Sequence, residues 1–208
     1  MPDRVVEDFP LFPLGLVALP FEYVPLHIFE DRYRTMIGEC LERETEFGIV
    51  WSTDEQVQRT GCAMTVTRVL ERMDDGRLNI LTRGTRPFRV IEEVHHLPYP
   101  AGTVEFLADD EDQADTEFAS EAREAYRALV AQATDNDPDP EELDAMNAYG
   151  MAATVEFGME AKQKLLDLRS ESARMKLVAR LFRAATKRLD FIERAQVRAK
   201  SNGKVRFT

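Results

Sequence analysis

Apolar residues follow two different patterns along this chain, and the difference predicts strands first and helices afterwards. Between about residues 9 and 110, short apolar runs and alternating segments are separated by Gly, Pro and Asp-Gly turns, which is typical of β-strands. Six or so strands are expected there. The exception is the segment DRYRTMIGECLE, in which Tyr33, Met36, Ile37 and Leu41 share one face of a predicted helix.

From about residue 111 onward the apolar spacing becomes that of helices. Four segments carry it: DTEFASEAREAYRALVAQA, EELDAMNAYGMAATVEF, MEAKQKLLDL and the long SESARMKLVARLFRAATKRLDFIERAQVR. Pro140 after Asp139 is suited to the first position of a helix. The sequence therefore predicts an α+β protein, with a β-rich subdomain over residues 1–110 and an α-helical subdomain of about four helices over residues 111–208.

The last predicted helix is amphipathic. Its apolar residues between Leu177 and Ile192 fall in one arc, and Arg174 is a basic exception on that side. A helix docked by its apolar face, with a solvated basic back, is the favoured interpretation, and a partner-binding stripe is the alternative. The basic stripe consists of Lys176, Arg180, Arg183, Lys187 and Arg194.

Charge is distributed unevenly and bears on the choice of partners. The composition is 44% hydrophobic and 31% charged, as in an ordinary globular protein. Residues 1–110 carry 11 Arg and 20 Asp or Glu, a net −9; residues 111–161 carry −12 and residues 162–208 carry +10. Most of the molecule would therefore repel nucleic acid, and only the C-terminal helical end would attract it.

Cysteine usage and the N-terminus indicate the compartment. Cys40 and Cys62 are far apart in sequence and form no C-x-x-C motif, so two free, buried thiols in a reducing cytoplasm are expected. No stretch approaches 18 apolar residues, and MPDRVVEDFP lacks the basic start and apolar run of a signal peptide. We expect a cytoplasmic protein without a membrane segment.

Motifs of catalysis and cofactor binding do not occur in the sequence. Gly203-Lys204 has Arg198 where a phosphate-binding loop would need its first glycine, and neither G-x-S-x-G nor G-x-G-x-x-G is present. No enzyme activity and no cofactor are predicted.

Histidines and carboxylates supply the remaining candidate chemistry. Glu93 and His95 would share a face of a strand as two metal ligands, but a polar strand end is favoured because further ligands are lacking. His27 is expected to be packed or half-buried and hydrogen-bonded to backbone, rather than a catalytic base. Glu30 and Asp31 suit the start of a helix, where the helix dipole stabilises negative charge.

A set of ordered motifs resembles a known family over about residues 9–192. The family is the N-terminal substrate-binding domain of the Lon ATP-dependent proteases, and the chain resembles in particular small bacterial proteins that consist of this domain alone. One departure is Arg86-Pro87-Phe88, where the family more often has Arg and Phe adjacent. The matching residues are Phe12-Pro13-Leu14, PLHIFE at 25–30, Arg32-Tyr33, Met36-Ile37, Gly48-Ile49-Val50, Gly61, Asp75-Gly76-Arg77, Gly84, Arg86 to Val90, PYPAGTVEFL and KQKLLDLRSESARMKLVARLF.

The resemblance implies a fold and a function class. The fold is a PUA-like pseudo-barrel followed by a helical bundle. The function is non-catalytic binding of polypeptide substrates or of a partner protein, including a protease acting in trans, because ATP hydrolysis and the Ser-Lys dyad reside in later domains of the proteases. The oligomeric state stays open. Candidate contacts in an apolar groove between the subdomains, rimmed by charge, are Phe9, Phe12, Phe21, Tyr23 and Tyr99.

Two alternatives to polypeptide binding follow from the same residues. Pseudo-barrels of this type also occur in RNA-modifying enzymes, so RNA binding through the basic stripe is the second hypothesis, although the acidic β-rich half argues against it. An enzyme built on His27 or on Glu93 and His95 is the third.

Overall fold

The chain folds into two compact units in a computed structural model that describes residues 5–109, 115–134 and 136–202, with side chains as far as residue 195. One unit comprises residues 1–111 with 152–170, and the other comprises residues 112–151 with 171–208. The sequence prediction assigned all of residues 111–208 to the helical subdomain. Residues 152–170 group instead with the β-rich unit, because side chains of this segment bond to its strands.

Six strands and one helix form most of the first unit. The sheet order is β2-β5-β4-β3-β1-β6, and β5 also pairs with β6, so five of the strands close into a ring. β1 and β3 run parallel, and the other neighbours are antiparallel. This mixed sheet with helices confirms the predicted α+β class. The elements are β1 Val5–Leu14, β2 Tyr23–Ile28, α1 Asp31–Arg43, β3 Phe47–Ser52, β4 Val57–Arg72, β5 Leu78–Val94 and β6 Ala101–Phe106.

β5 is a single long strand of 17 residues. It continues through Gly84 and Pro87, with a register shift against β4 between Ala63 and Met64. The Thr85 hydroxyl donates to the Ala63 carbonyl oxygen at 3.1 Å, which compensates for the irregular pairing there. The first part of β5 pairs with β2 and its last part with β6, so one strand serves both the open and the closed portions of the sheet.

The interior of the ring is filled by aromatic rings packed against glycines. Phe88 is fully buried and meets Phe9 edge-to-face, with ring centroids 5.3 Å apart. A Cβ atom at Gly48 would lie 2.4 Å from the Phe88 ring, and one at Gly61 would lie 2.8 Å from it and 2.3 Å from the Ile49 carbonyl oxygen. The absence of side chains at both glycines therefore makes room for Phe88.

Five helices follow in the described part of the chain. The second predicted helix is divided, because the backbone is extended at Met146 and the Asn147 side chain accepts a hydrogen bond from the Gly150 N–H at 2.8 Å, which starts a new helix. Pro140 does occupy the first turn of its helix, and Asp139 caps it. The helices are α2 Thr116–Thr134, α3 Pro140–Ala145, α4 Ala148–Ala152, α5 Met159–Asp167 and α6 Glu171–Asn202.

α6 buries one face in the second unit, where it packs against α2. Phe182 is fully buried and meets Tyr126 of α2 edge-to-face, with centroids 5.3 Å apart. Arg174 is also buried, as its place on the apolar side suggested; it pairs with Glu171 at 2.7 Å and lies over the Tyr149 ring. Ile192, at the far end of the predicted apolar arc, is exposed.

α5 is attached to the strands of the first unit by polar contacts. The Lys162 ammonium donates to a Glu22 carboxylate oxygen at 2.5 Å, and both side chains are largely buried. The Gln163 amide donates to the Thr60 carbonyl oxygen at 3.1 Å. These contacts explain why α5 belongs with the β-rich unit.

None of the helices in the described ranges is long and apolar enough to cross a membrane.

Substitution of Gly61 tests the packing inside the ring. Gly61→Ala is expected to lower the free energy of unfolding by about 1–3 kcal/mol, because the new methyl group overlaps a backbone oxygen that has no room to move. Gly15→Ala is the matched control, since no atom lies within 4 Å of its Cβ position; there the change should stay below about 1 kcal/mol. Urea unfolding measures both, and equal losses would contradict the packing argument.

Removal of Lys162 tests the attachment of α5. Lys162→Met is expected to cost about 3 kcal/mol of unfolding free energy, because the Glu22 carboxylate remains largely buried without its cation. Glu22→Gln combined with Lys162→Met should be less destabilised than Lys162→Met alone, since no unpaired charge remains. Denaturant titration of Lys162→Met, Glu22→Gln and the double variant measures this coupling, and simple additivity of the two single losses would argue against it.

Candidate functional site

A cleft of about 910 Å³ opens at one end of the strand ring in the first unit. Its floor consists of side chains that also belong to the core, among them Leu11, Val50 and Val90. Ile91 follows the buried Val90 on β5, at a point where the pairing with β6 shifts register; it is 46% exposed and lines the cleft. Val57, at the start of β4, is 48% exposed and also lines the cleft.

Charges of both signs surround the apolar floor. Arg59 on β4 and Glu92 with Glu93 on β5 line the cleft, together with Arg32 from the first turn of α1 and His95 from the following loop. Arg32 is partly neutralised by Glu30, at 2.8 Å. Apolar contact at the bottom and mixed charge at the rim suit a ligand that carries both apolar and charged groups along its length.

Tyr99 fixes the loop that forms one wall of the cleft. Its hydroxyl donates to a Glu39 carboxylate oxygen on α1 at 2.9 Å, and the Leu11 N–H donates to the Pro100 carbonyl oxygen at 2.8 Å. Burial raises the pKa of Tyr99, and the hydrogen bond to Glu39 and its negative charge add to the rise, to about 12. The ring is only 6% exposed, so Tyr99 supports the wall more than it offers a contact.

Glu93 and His95 lie on the rim of this cleft and are exposed. The neighbouring His96 pairs with Asp8 at 3.2 Å. No cluster of three or more His, Cys, Asp or Glu side chains suited to a metal occurs within the described ranges. The residues that line the cleft include no serine, threonine, cysteine or lysine to act as a nucleophile.

His27 is exposed, contrary to the expectation of a packed or half-buried side chain. It faces outward on β2 and its Nδ1 lies 2.7 Å from the Asn79 side-chain oxygen on β5, not from a backbone group. The ring also stacks on Phe29, with centroids 5.8 Å apart. Glu30 and Asp31 stand at the start of α1, as predicted, and pair with Arg32 and Arg34 respectively.

Phe9 and Phe12 are core residues and do not reach the surface. Phe9 packs on Phe88 inside the ring, and Phe12 stacks on Tyr33 of α1 with centroids 4.0 Å apart. Each is only 5% exposed. The sequence did not indicate that these two residues are buried, because the strands that cover them are far away in sequence.

Phe21 and Tyr23 are exposed and form a separate surface with Arg83, here called the Arg83 cluster. The Arg83 guanidinium carbon lies 5.3 Å from the Phe21 ring centroid and 5.9 Å from that of Tyr23. Tyr23 and Arg83 are cross-strand partners on β2 and β5. The sequence analysis named the two aromatic residues but not Arg83, since only the pairing of distant strands reveals it.

The basic stripe on α6 is exposed at all five positions. Two of its cations are engaged within their own unit. The Lys176 ammonium lies 3.5 Å from the Phe118 ring centroid, and Arg183 pairs with Glu121 at 3.0 Å. The stripe is thus partly used in holding α6 against α2.

Cys40 and Cys62 are free and buried, as expected. Burial raises the pKa of both thiols, and most strongly that of Cys62. Neither lines the cleft.

Ile91 and Val57, two exposed aliphatic residues of the cleft, were not predicted from the sequence. RVIEEV does not alternate, and the pairing of β5 with β6 shifts between Val90 and Glu92, so the sequence did not indicate that Ile91 is exposed beside the buried Val90. For Val57, polar neighbours in DEQVQR gave no indication of an apolar wall.

Comparison with protein families gives a match over residues 8–183 to the ATP-dependent protease La (LON) substrate-binding domain. Among curated proteins, the chain is 27% identical over 195 residues to Lon protease of Anaeromyxobacter dehalogenans (strain 2CP-C), covering 83% of this chain and 22% of that protein. It is 26% identical over 202 residues to Lon protease 2 of Myxococcus xanthus, covering 86% of this chain and 24% of that protein. The chain thus spans about a quarter of the length of these relatives.

Solved structures show the same fold. The Lon N-terminal domain protein from Xanthomonas campestris superposes with a TM-score of 0.64 at 23% identity, over 82% of this chain and 96% of that one. The N-terminal domain of Mycobacterium avium complex Lon protease gives a TM-score of 0.63 at 18% identity, over 88% of this chain and 98% of that one.

Ionisation of Tyr99 is expected to weaken the fold at high pH. The pKa of Tyr99 is higher in the folded protein, about 12, than its ordinary value of 10.0, so its contribution to stability is complete below pH 10 and is lost as the pH rises from 10 to 12. The difference in unfolding free energy between wild type and Tyr99→Phe should therefore shrink over that interval. Urea unfolding across it measures the effect, and a difference that stays constant would contradict the raised pKa.

Proposed function

Because the chain belongs to the family of the LON substrate-binding domain, we propose that it is a non-catalytic module that binds polypeptide segments. The ligand lies in the cleft at the end of the strand ring. ATPase and peptidase activities of the longer relatives are not part of this proposal, since the family match concerns the substrate-binding domain alone.

The observation that carries the proposal is the pair of exposed aliphatic side chains above an apolar floor. Ile91 and Val57 are about half exposed, and they line an open cleft that the buried Leu11 and Val90 extend inward. An unfolded polypeptide offers apolar side chains for such a floor and charged groups for the rim at Arg59 and the neighbouring glutamates. Burial of one such side chain supplies about 1.5–3 kcal/mol.

The chemistry of the cleft supports binding more than catalysis. Its described lining residues include no serine, threonine, cysteine or lysine that could act as a nucleophile beside His95. The charge balance of −9 over residues 1–110 also disfavours RNA as the ligand of this unit.

The partners and the compartment follow from the same proposal. The ligands are polypeptide substrates or a partner protein, and a protease acting in trans would receive what the cleft holds. A cytoplasmic location is supported by two unpaired cysteines, which a reducing compartment keeps as thiols.

Charge placed on the cleft wall is expected to weaken polypeptide binding. Ile91→Asp should weaken the binding of a fluorescently labelled, permanently unfolded polypeptide at least about tenfold, because a carboxylate replaces an apolar contact worth more than about 1.4 kcal/mol. Leu70→Asp is the matched control: Leu70 is 47% exposed and Ile91 is 46% exposed, but Leu70 does not line the cleft. Fluorescence anisotropy measures both dissociation constants.

A single-stranded RNA competitor distinguishes the second hypothesis in the same titration. Polypeptide binding that RNA does not displace, and that survives added salt, is the expected outcome. Equal losses in the two Asp variants would place the polypeptide elsewhere on the surface. Displacement by RNA, with an affinity that falls steeply with salt, would favour the basic stripe and count against the cleft.

A further inference from the structure

The Arg83 cluster is displayed by a strained turn. The Glu22 N–H donates to the Leu19 carbonyl oxygen at 3.1 Å, which closes a four-residue turn with Pro20 and Phe21 at its centre. Phe21 has a φ of 69°, a left-handed conformation that this turn normally reserves for glycine. A bulky aromatic residue is therefore held where it costs free energy, which is common at binding sites.

Hydrogen bonds to β5 hold the turn in place. The Phe21 N–H donates to the Gly84 carbonyl oxygen at 2.8 Å, and the Gly84 N–H donates to the Glu22 carbonyl oxygen at 2.9 Å. The Glu22 side chain accepts from the Leu19 N–H at 2.9 Å. The consequence is that the Phe21 ring stands 41% exposed beside Tyr23, which is 58% exposed.

Arg83 has a charge that the described part of the chain leaves unmatched. In the ranges that the structure describes, no carboxylate lies within ion-pair distance of Arg83, and its Nε proton is buried without an acceptor. Arg86, three residues along the same strand, differs: it pairs with Glu46 at 2.8 Å. Stacking against two aromatic rings holds the Arg83 guanidinium in position but does not neutralise it.

We propose that the Arg83 cluster is a second polypeptide contact, which selects segments carrying an acidic side chain next to an apolar one. The guanidinium donates charge-assisted hydrogen bonds to the carboxylate, and the rings of Phe21 and Tyr23 receive the apolar neighbour. The inference rests on the proposed function in that the ligand is a polypeptide. It adds a preference for acidic ligand segments, which the cleft does not provide because its rim carries charges of both signs.

An internal acidic side chain fits this surface better than a chain terminus. Beyond Tyr23, the outward face of β2 continues with Pro25 and His27 and then Phe29, all exposed. A surface open along the strand lets an extended segment pass across Arg83. The carboxylate it meets is therefore that of an Asp or Glu side chain within the segment.

Three labelled peptides test the preference. They are acetyl-Gly-Ser-Phe-Glu-Phe-Ser-Gly-amide, the same peptide with Gln in place of Glu, and the Gln peptide with a free C-terminal carboxylate. Fluorescence anisotropy with the full chain should show that the Glu peptide binds at least about tenfold more tightly than either Gln peptide. A difference of this size is expected when hydrogen bonds to a charged group are lost. Equal affinities for the Glu and Gln peptides, or the tightest binding for the free terminus, would overturn the proposal.

Arg83→Gln and a matched arginine control locate the site. Arg83→Gln should abolish the preference for the Glu peptide. Arg72→Gln removes the same charge from an exposed residue of β4 and should leave the preference within about twofold of wild type. A preference that survives Arg83→Gln, or that disappears equally in Arg72→Gln, would refute the assignment to Arg83.

Phe21→Gly separates binding from folding. Glycine adopts the left-handed conformation without strain, so the thermal midpoint should remain unchanged or rise, while both amidated peptides bind more weakly. A stable Phe21→Gly variant that binds them as wild type does would contradict the role of the ring.

Ile91→Asp in the peptide titration distinguishes this inference from the proposed function. Loss of the unfolded polypeptide with retained preference for the Glu peptide would support two separate contacts. If wild type binds the unfolded polypeptide but does not bind the Glu peptide, the inference is overturned while the proposed function stands.

Discussion

Contact of the Phe88 ring with two glycines is the constraint on which the first unit depends. At Gly48 and Gly61 a side chain would overlap that ring, so β3 and β4 can approach it only because both positions lack a Cβ. The ring in turn meets Phe9 of β1, and Phe88 pairs across the sheet with Phe106 of β6. Closure of the strands into a ring therefore follows from packing in the middle of β5, and the ladder hydrogen bonds are formed around it.

The cleft is a consequence of the same closure. Leu11, Val50 and Val90 pack with Phe88 in one apolar cluster, and the outer surfaces of these side chains form the floor of the cleft. The binding surface is thus the end of the core. A rigid floor of this kind loses little conformational entropy on binding, whereas the side chains of the rim remain free to adapt to different polypeptide sequences.

Local patterns in the sequence were sufficient for the elements but not for their exposure. The helix with Tyr33 and Met36 on one face, the Asp139-Pro140 helix start and the long last helix are set by neighbours in sequence, and each was predictable. Whether an aromatic residue is core or surface depends on distant strands, so Phe9 and Phe21 could not be told apart. The division between α3 and α4 had a local cause in Asn147, whose capping role was readable but was outweighed by the apolar spacing.

The two candidate contacts depend on the core in different ways. The cleft needs only the closed ring, but the Arg83 cluster also needs the turn that carries Phe21. The Glu22 carboxylate bonds to the Leu19 N–H of that turn and to Lys162 of α5, so α5 helps to maintain the strained conformation of Phe21. Strain at a surface aromatic persists only where such surrounding contacts outweigh it. The position of α5 beside the strands is therefore as relevant to how this protein presents Phe21 as the turn sequence itself.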